Sequence, residues 1–123
     1  MRLLLPAVRL SASLAFNLAL AVHELASNAA KYGALSTPLG RVTLEGSFVK
    51  GDLTLVWRED GGPEIRAPNR RGFGTALLAG VMTHQHGARV SFDWRREGLI
   101  CTLILPLEPT ADPATGNSRR PAS

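Results

Sequence analysis

Apolar residues recur at helical spacing in two stretches of the chain. The first begins after Ser11, which fits an N-cap, and runs to about Leu35, where Gly33 and the segment STPLG at 36–40 end it. The second covers 73–86, with apolar positions at Phe73, Leu77, Leu78, Val81 and Met82. This spacing predicts two amphipathic helices.

Apolar and polar residues alternate in four other segments, which predicts strands. They form two antiparallel hairpins: 41–49 with 52–59, joined at Lys50 and Gly51, and 88–95 with 99–107, joined around Glu97 and Gly98. Residues 2–10 are apolar and predict a first strand or lead-in.

The order of these elements predicts one domain over residues 1–107, followed by a disordered tail at 108–123 that is rich in Pro, Ala, Thr, Ser and Arg. Amphipathic helices beside hairpins favour the α+β class. We expect a two-layer sandwich of a mixed, mostly antiparallel sheet with helices on one face.

Composition narrows the class of protein. The chain has 123 residues, of which 45% are apolar and 20% charged, which is typical of a globular domain. A single cysteine, Cys101, lies in an apolar run and cannot form an internal disulfide, so we expect a buried thiol and a cytoplasmic setting. No stretch predicts a membrane span or a signal peptide. The net charge of +4 favours anionic partners such as nucleic acid, nucleotide or an acidic protein.

The first helix carries a polar set beside its apolar stripe, in the sequence HELASNAAKYGAL at 23–35. Glu24, Asn28, Lys31 and Leu35 fall within an arc of about 60°. This arc flanks the stripe that would pack on the sheet, which consists of Leu14, Leu18, Val22, Leu25 and Ala29. The set therefore indicates one wall of a cleft. An Asn oxygen can bind Mg²⁺ and a Lys can contact phosphate. A site for a nucleoside triphosphate needs both kinds of group.

Two glycine-containing loops could complete such a site. In WREDGGPEI at 57–65, a carboxylate at the end of a strand could accept a hydrogen bond from an adenine amino group. In RRGFGT at 70–75, free backbone N–H groups at the start of a helix attract phosphate. Taken alone, each loop is as compatible with an ordinary turn or linker, and the Walker pattern is absent.

Together, the three motifs HELASNAAKYGAL, WREDGGP and RRGFGTALL resemble, in this order, the ATP-binding domain of HWE-type sensor histidine kinases. These kinases belong to the wider GHKL group, whose shared architecture is the Bergerat fold. The signature residues of the HWE type would be His23, Trp57 and Glu59, and the resemblance covers residues 8–107.

The resemblance implies roles for individual residues. Asn28 would hold Mg²⁺, while Lys31 and Tyr32 would contact phosphates. Glu59 would read adenine, with Asp60 as the alternate. The remaining ATP contacts would come from the glycine boxes, at Gly61, Arg70, Arg71, Gly72, Phe73, Gly74 and Thr75. Glu24 occupies a position that is a general base in ATPase members and is often Asn in kinases, so its catalytic role stays open.

Two features depart from the family pattern. The predicted lid, at about 64–71, is short and has no separate phenylalanine box. A histidine kinase also needs a phosphoacceptor His on a helical hairpin, which the ten residues before the first helix cannot form. We therefore expect either a fragment of a longer kinase or a domain that acts in trans. His84 and His86 are expected to be surface or C-capping residues.

The leading hypothesis is a protein-histidine kinase catalytic domain that binds Mg-ATP and passes the γ-phosphate to a His on another segment or chain. Its partners would be that helical hairpin and a response regulator, without nucleic acid or membrane contact. One alternative is a GHKL ATPase, in which Glu24 would activate water, or an anti-sigma-type serine kinase; another is a non-catalytic nucleotide-sensing module. DNA binding is disfavoured because the arginines cluster where ATP phosphates would lie.

Overall fold

The computed structural model of this chain describes residues 2–6, 8–63 and 73–107. Two helices pack on a five-stranded sheet, as the α+β prediction requires. The elements, in chain order, are β1 (Arg2–Leu4), α1 (Ala12–Lys31), a 3-10 turn (Ala34–Ser36), β2 (Arg41–Val49), β3 (Asp52–Asp60), α2 (Phe73–His86), β4 (Arg89–Arg95) and β5 (Gly98–Pro106).

The sheet has the strand order β1-β2-β3-β5-β4. β1 pairs with β2 in parallel, and the other three pairs are antiparallel. The prediction of a mixed, mostly antiparallel sheet is therefore confirmed. Because β3 lies at the centre of the sheet, its carboxyl end brings Glu59 beside the carboxyl end of α1, where the site lies.

The core lies between the sheet and the helices. Along β3 the inward residues alternate, so that Leu53, Leu55, Trp57 and Glu59 are buried while their neighbours are not. Trp57 is 0% exposed and Cys101 on β5 is 1% exposed, which confirms the prediction of a buried thiol. The inner face thus ends on a carboxylate rather than on another apolar residue, and burying that group requires hydrogen bonds.

Helix α1 begins as predicted and ends earlier than predicted. The side chain of Ser11 accepts a hydrogen bond from the N–H of Leu14 at 3.1 Å, as an N-cap does. The helix ends at Lys31, so the expectation that Leu35 shares its polar face is wrong. Gly33 leaves the helix with φ −117° and ψ −145°, and the next N–H, of Ala34, turns away to bind Glu59.

The first hairpin turns where the sequence predicts, and the second does not. Lys50 and Gly51 have φ of 53° and 84°, as a two-residue hairpin turn requires. In the second hairpin Arg95 pairs with Gly98, so the turn is Arg96–Glu97 rather than Glu97–Gly98. Gly98 belongs to β5 because it pairs with Arg95, and it lies against the carbonyl oxygen of Glu59, where a Cβ would not fit.

Strand β1 covers only part of the predicted segment 2–10, since it ends at Leu4. Pro6 follows closely and has no N–H with which to extend the ladder. The predicted lid at 64–71 and the predicted tail at 108–123 lie outside the described residues. Within the described ranges, neither helix is long and apolar enough to cross a membrane.

Candidate functional site

A chain of hydrogen bonds joins the polar face of α1 to the start of α2. The Nδ2 of Asn28 donates to the Oγ1 of Thr75 at 2.6 Å, and the hydroxyl of Thr75 donates to the Oε2 of Glu24 at 3.5 Å. Thr75 is 5% exposed, so it lies in the seam between the two helices. Two motifs that are 47 residues apart in sequence therefore meet here.

The donor and acceptor roles in these two hydrogen bonds fix the orientation of the Asn28 amide. A hydroxyl has one hydrogen, and because Thr75 gives it to Glu24, it accepts from Asn28. The amide nitrogen of Asn28 is thus engaged. Its carbonyl oxygen, Oδ1, has no hydrogen-bond donor within the described ranges. A neutral oxygen of this kind is a suitable ligand for a hard cation such as Mg²⁺.

Both oxygens of the Glu59 carboxylate are engaged. Oε1 accepts from the backbone N–H of Ala34 at 3.1 Å, and Oε2 accepts from the indole Nε1 of Trp57 at 2.9 Å. Glu59 is only 5% exposed, and these two donors offset the cost of burying it. A carboxylate has about four acceptor sites, so each oxygen keeps one for a ligand.

The spacing Trp-x-Glu has a direct physical explanation. Residues two apart on a strand point to the same face, so Trp57 and Glu59 lie side by side on β3. The indole can then donate to the carboxylate without any distortion of the strand. His23, the third signature residue, is exposed on α1 and does not join this pair.

One small cavity connects the two hydrogen-bonded groups. It is lined by Leu25, Asn28, Tyr32, Gly33, Glu59, Thr75, Trp94 and Leu99. The enclosed space is about 20 Å³, which is enough for a water molecule and too small for a purine ring. A nucleotide base would therefore enter only if rim side chains moved outward. Tyr32, which is 42% exposed, is the most accessible of them.

Glu24 lines a different cavity. This second space, also about 20 Å³, lies between both helices and the sheet and is mostly apolar, with Leu78, Met82 and Cys101 among its walls. Thr75 lines both cavities and stands between them. Glu24 thus lines the neighbouring cavity while its carboxylate accepts from Thr75, so it can orient the hydroxyl.

The other predicted site residues lie around this centre. Lys31 is exposed in the last turn of α1, and Asp60 is exposed at the end of β3. Gly61 has φ of 79° and lies against the carbonyl oxygen of Leu39, so a side chain there would be strained. Phe73 and Gly74 are the first two residues of α2. Arg70, Arg71 and Gly72 lie outside the described residues.

His86 makes a contact that the sequence does not predict. Its Nε2 lies 2.8 Å from the Nδ2 of Asn17, so it links the end of α2 to α1 rather than only capping its own helix. His84 is exposed, as predicted. The pair Asn17–His86 lies away from the residues that line the Glu59 cavity, and it offers a matched Asn for control experiments.

Sequence reasoning missed four residues of the cavity lining and one backbone donor. The lining residues are Leu25, Gly33, Trp94 and Leu99, and the donor is the N–H of Ala34. Trp94 pairs with Leu99 across the second hairpin. The two predicted strands, 88–95 and 99–107, contain both residues, but no register between them was predicted.

Cys101 is buried beneath the same end of the sheet, and it is not a candidate nucleophile. Burial raises the pKa of its thiol from the ordinary value of 9.0 to about 12, and the negative charge of Glu59 adds to this effect. A thiol that holds its proton at neutral pH is a weak nucleophile.

No protein-family model matches the chain. Among curated proteins, it is 43% identical over 93 residues to blue-light-activated histidine kinase 1 of Erythrobacter litoralis, an alignment that covers 73% of this chain and 26% of that protein. It is 36% identical over 105 residues to the blue-light-activated histidine kinase of Brucella ovis, covering 82% of this chain and 22% of that protein. The chain thus spans about a quarter of the length of these relatives.

Solved structures show the same fold. The histidine kinase domain of a blue-light activated histidine kinase from Erythrobacter litoralis matches with a TM-score of 0.73 and 22% identity, over 86% of this chain and 50% of that one. The catalytic domain of histidine kinase ThkA matches with a TM-score of 0.65 and 13% identity, over 85% of this chain and 77% of that one. These findings confirm the resemblance drawn from the three motifs.

Proposed function

Because this chain is related to blue-light-activated histidine kinases in sequence and shares the fold of histidine kinase catalytic domains, we propose that it binds Mg-ATP as the catalytic domain of a protein-histidine kinase. The γ-phosphate would go to a His on another segment or chain. One observation carries this proposal: Asn28, Glu59 and Thr75, from three separate motifs, line one cavity.

The residues at one end of the cavity fit a magnesium ion. Mg²⁺ keeps several waters and takes few protein oxygens, so the Oδ1 of Asn28 and the phosphates of a nucleotide suffice. In the part of the chain that the structure describes, no three His, Cys, Asp or Glu side chains gather into a metal site. When bound, the ion would neutralise phosphate charge during transfer.

The other end fits a base with an exocyclic amino group. Glu59 is fixed at the cavity wall and retains acceptor capacity on both oxygens. Asp60 is exposed and points out of the inner face of β3, so Glu59 is the stronger candidate for adenine. The wall beside it is formed by Leu25, Leu99 and Trp94, which supply apolar area for a flat ring.

Positive charge near the cavity favours a phosphate chain. Lys31 lies one turn after Asn28 on α1, is exposed, and can reach a phosphate oxygen as a point charge. The two arginines of the third motif, Arg70 and Arg71, add charge just before α2 in sequence. With a net charge of +4, the chain as a whole also attracts anionic ligands.

The position of Glu24 gives less support to the ATPase alternative. A general base must reach the water that it activates, directly or through one other molecule. The Oε2 of Glu24 accepts from Thr75, and Glu24 lines the other, mostly apolar cavity. We propose that Glu24 orients Thr75, and through it Asn28, rather than activating water.

The proposed partners are a helical hairpin that carries the phosphoacceptor His and a response regulator that receives the phosphoryl group. Histidine kinase ThkA, which shares the fold with a TM-score of 0.64, has been solved in complex with the response regulator protein TrrA. The same kind of partner is proposed for this chain.

Calorimetric titration with ATP, with Mg²⁺ or with EDTA, tests the proposal. We expect wild-type protein to bind ATP more tightly with Mg²⁺, and Asn28→Ala to lose that gain. Asn17→Ala is the matched control, since it removes an Asn from the same helix outside the cavity. Equal Mg²⁺-dependent affinity in Asn28→Ala would contradict the metal assignment.

Phosphotransfer distinguishes the kinase from a nucleotide-sensing module. Wild-type protein, labelled ATP and a phosphoacceptor hairpin from one of the blue-light-activated relatives would be incubated together. Acid-labile label on the hairpin His supports the kinase. Tight ATP binding with no label on the hairpin would favour the sensing module, and steady release of free phosphate would favour the ATPase.

A further inference from the structure

The hydrogen bond between Trp57 and Glu59 is placed where it can control ligand recognition. The indole Nε1 donates to Oε2 at 2.9 Å, while the backbone N–H of Ala34 donates to Oε1 at 3.1 Å. Each carboxylate oxygen therefore has its own donor, from a different direction. Two donors on two oxygens fix both the position and the plane of the carboxylate.

The indole is itself enclosed by the core. Trp57 is 0% exposed and is among the largest fully buried side chains of the described core. Gly33 closes the other side, because a Cβ there would overlap the Oε1 of Glu59. The carboxylate is thus held between a core residue and the backbone that follows α1, with little freedom to rotate.

This fixed carboxylate lies on the wall of the cavity, beside the apolar surface of Trp94 and Leu99. We propose that Trp57 is a positioning residue that aims the remaining acceptor sites of Glu59 at a base amino group. It thereby sets the preference for adenine over a 6-oxo purine such as hypoxanthine. This inference rests on the proposed function, in which Glu59 receives the base.

The preference follows from the chemistry of the two bases. Adenine presents an amino group, which donates to a carboxylate oxygen. Hypoxanthine presents a carbonyl oxygen at the same place, so two acceptors would face each other, and a site built for a donor rejects such an analogue strongly. A carboxylate that is free to turn aligns less well with the amino group of adenine and can turn away from the carbonyl of hypoxanthine. The affinity for adenine then falls and that for hypoxanthine rises, so their ratio decreases.

The test compares the affinities of ADP and IDP by calorimetry in wild-type protein and in variants. Trp57→Phe keeps an aromatic ring in the core and removes the N–H. We expect its ADP-to-IDP affinity ratio to fall by about tenfold, as loss of one hydrogen bond to a charged group implies. Trp94→Phe is the matched control: it removes the other tryptophan from the cavity wall, and we expect it to weaken both ligands alike.

A third variant separates this inference from the proposed function. In Glu59→Gln an amide N–H₂ can donate to a 6-oxo group, so the preference should shift toward IDP. If Glu59→Gln leaves the ratio unchanged, the assignment of Glu59 to the base is wrong. If Glu59→Gln shifts the ratio while Trp57→Phe leaves it within twofold of wild type, only the role of Trp57 is wrong.

A second form of the test does not depend on how Phe packs. In a Trp94→Phe background, Trp57 is the single tryptophan, since the chain has two. Biosynthetic replacement by benzothienylalanine keeps the shape of the bicyclic ring and puts sulfur in place of the N–H. The same fall in the ADP-to-IDP ratio supports the inference, and an unchanged ratio in this folded protein overturns it.

Discussion

The two ends of the Glu59 cavity are built in different ways. At the end where we propose that the base binds, called the base end, the carboxylate of Glu59 receives one donor from Trp57 and one from the N–H of Ala34. At the end where we propose that the metal binds, called the metal end, single hydrogen bonds join Asn28 to Thr75, which both line the cavity, and Thr75 to Glu24, which lines the neighbouring cavity. Glu59 is buried, whereas Asn28 and Glu24 are only half-buried.

Because the two ends are built differently, substitutions at each end should change different measured quantities. The base end is part of the core, so its polar groups contribute to folding as well as to the proposed recognition. At the metal end Thr75 is as buried as Glu59, but its partners Asn28 and Glu24 are half-buried, so loss of one hydrogen bond leaves an amide and a carboxylate that water can reach. We therefore expect substitutions at the base end to lower the free energy of unfolding, and those at the metal end to act mainly on ligand affinity.

The largest effect is expected from Glu59→Leu. It leaves two buried N–H donors, of Trp57 and Ala34, without an acceptor. The free energy of unfolding should fall by about 3 kcal/mol. Urea denaturation followed by circular dichroism measures it. Asp60→Leu, at the exposed neighbouring position, is the control and should change stability by less than about 0.5 kcal/mol. Equal losses of stability in the two variants would show that the hydrogen bonds to the buried carboxylate of Glu59 contribute no more than the exposed carboxylate of Asp60.

Cys101, which is buried beneath the base end, tests that burial through the pH dependence of stability. Because the folded-state pKa is raised to about 12 from 9.0, the folded protein keeps a proton that the unfolded chain loses. Stability from this group is complete below pH 9 and is lost as pH rises from about 9 through about 12. At pH 10.5 we expect wild-type protein to have lost about 2 kcal/mol more than Cys101→Val, relative to pH 8. Parallel pH profiles of unfolding would contradict the raised pKa.

Thr75→Val probes the metal end. It keeps the shape of the side chain and removes the hydroxyl that holds Asn28 and Glu24. We expect Mg-ATP affinity to fall by about tenfold, equal to about 1.4 kcal/mol, while ATP affinity in EDTA changes little. Thr75→Ser should restore the wild-type value. An equal loss with and without Mg²⁺ would show that Thr75 acts on the nucleotide rather than on the metal ligand.

Glu24→Gln should have the smallest effect. Gln can still accept the hydrogen bond from Thr75 through its amide oxygen, so Mg-ATP affinity should change by about twofold, or about 0.4 kcal/mol. Any slow phosphate release by the isolated chain should also persist. A large drop in the rate of phosphate release with unchanged Mg-ATP affinity would indicate that Glu24 is a general base.

The sequence was sufficient for those parts of the fold that depend on local patterns. Alternation along β3, the Ser11 cap and the Lys50–Gly51 turn each follow from a few adjacent residues, and all are confirmed. The predicted end of α1 was wrong, because the N–H of Ala34 donates to Glu59, a residue on strand β3. No pattern within the helix itself encodes that contact.

For the site, too, contacts between residues that are distant in sequence could not be predicted from local patterns. Asn28, Thr75 and Glu59 were selected by motif, and they line one cavity. The pairing of Trp94 with Leu99 was not predicted, because the register of the second hairpin depends on which residues form its turn, and these are Arg96 and Glu97. The direction of the bond from Asn28 to Thr75 depends on which groups face each other, and only three-dimensional structure supplies it.

The indole N–H signals of Trp57 and Trp94 report on whether a base binds at Glu59. The chain has two tryptophans, so its ¹H–¹⁵N correlation spectrum has two such signals, which Trp94→Phe assigns. We expect the signal of Trp57 to move on addition of ADP, because a bound base would share the carboxylate of Glu59 with the indole. If saturating ADP binds and leaves the Trp57 signal in place, the base does not lie at Glu59, and the account is wrong.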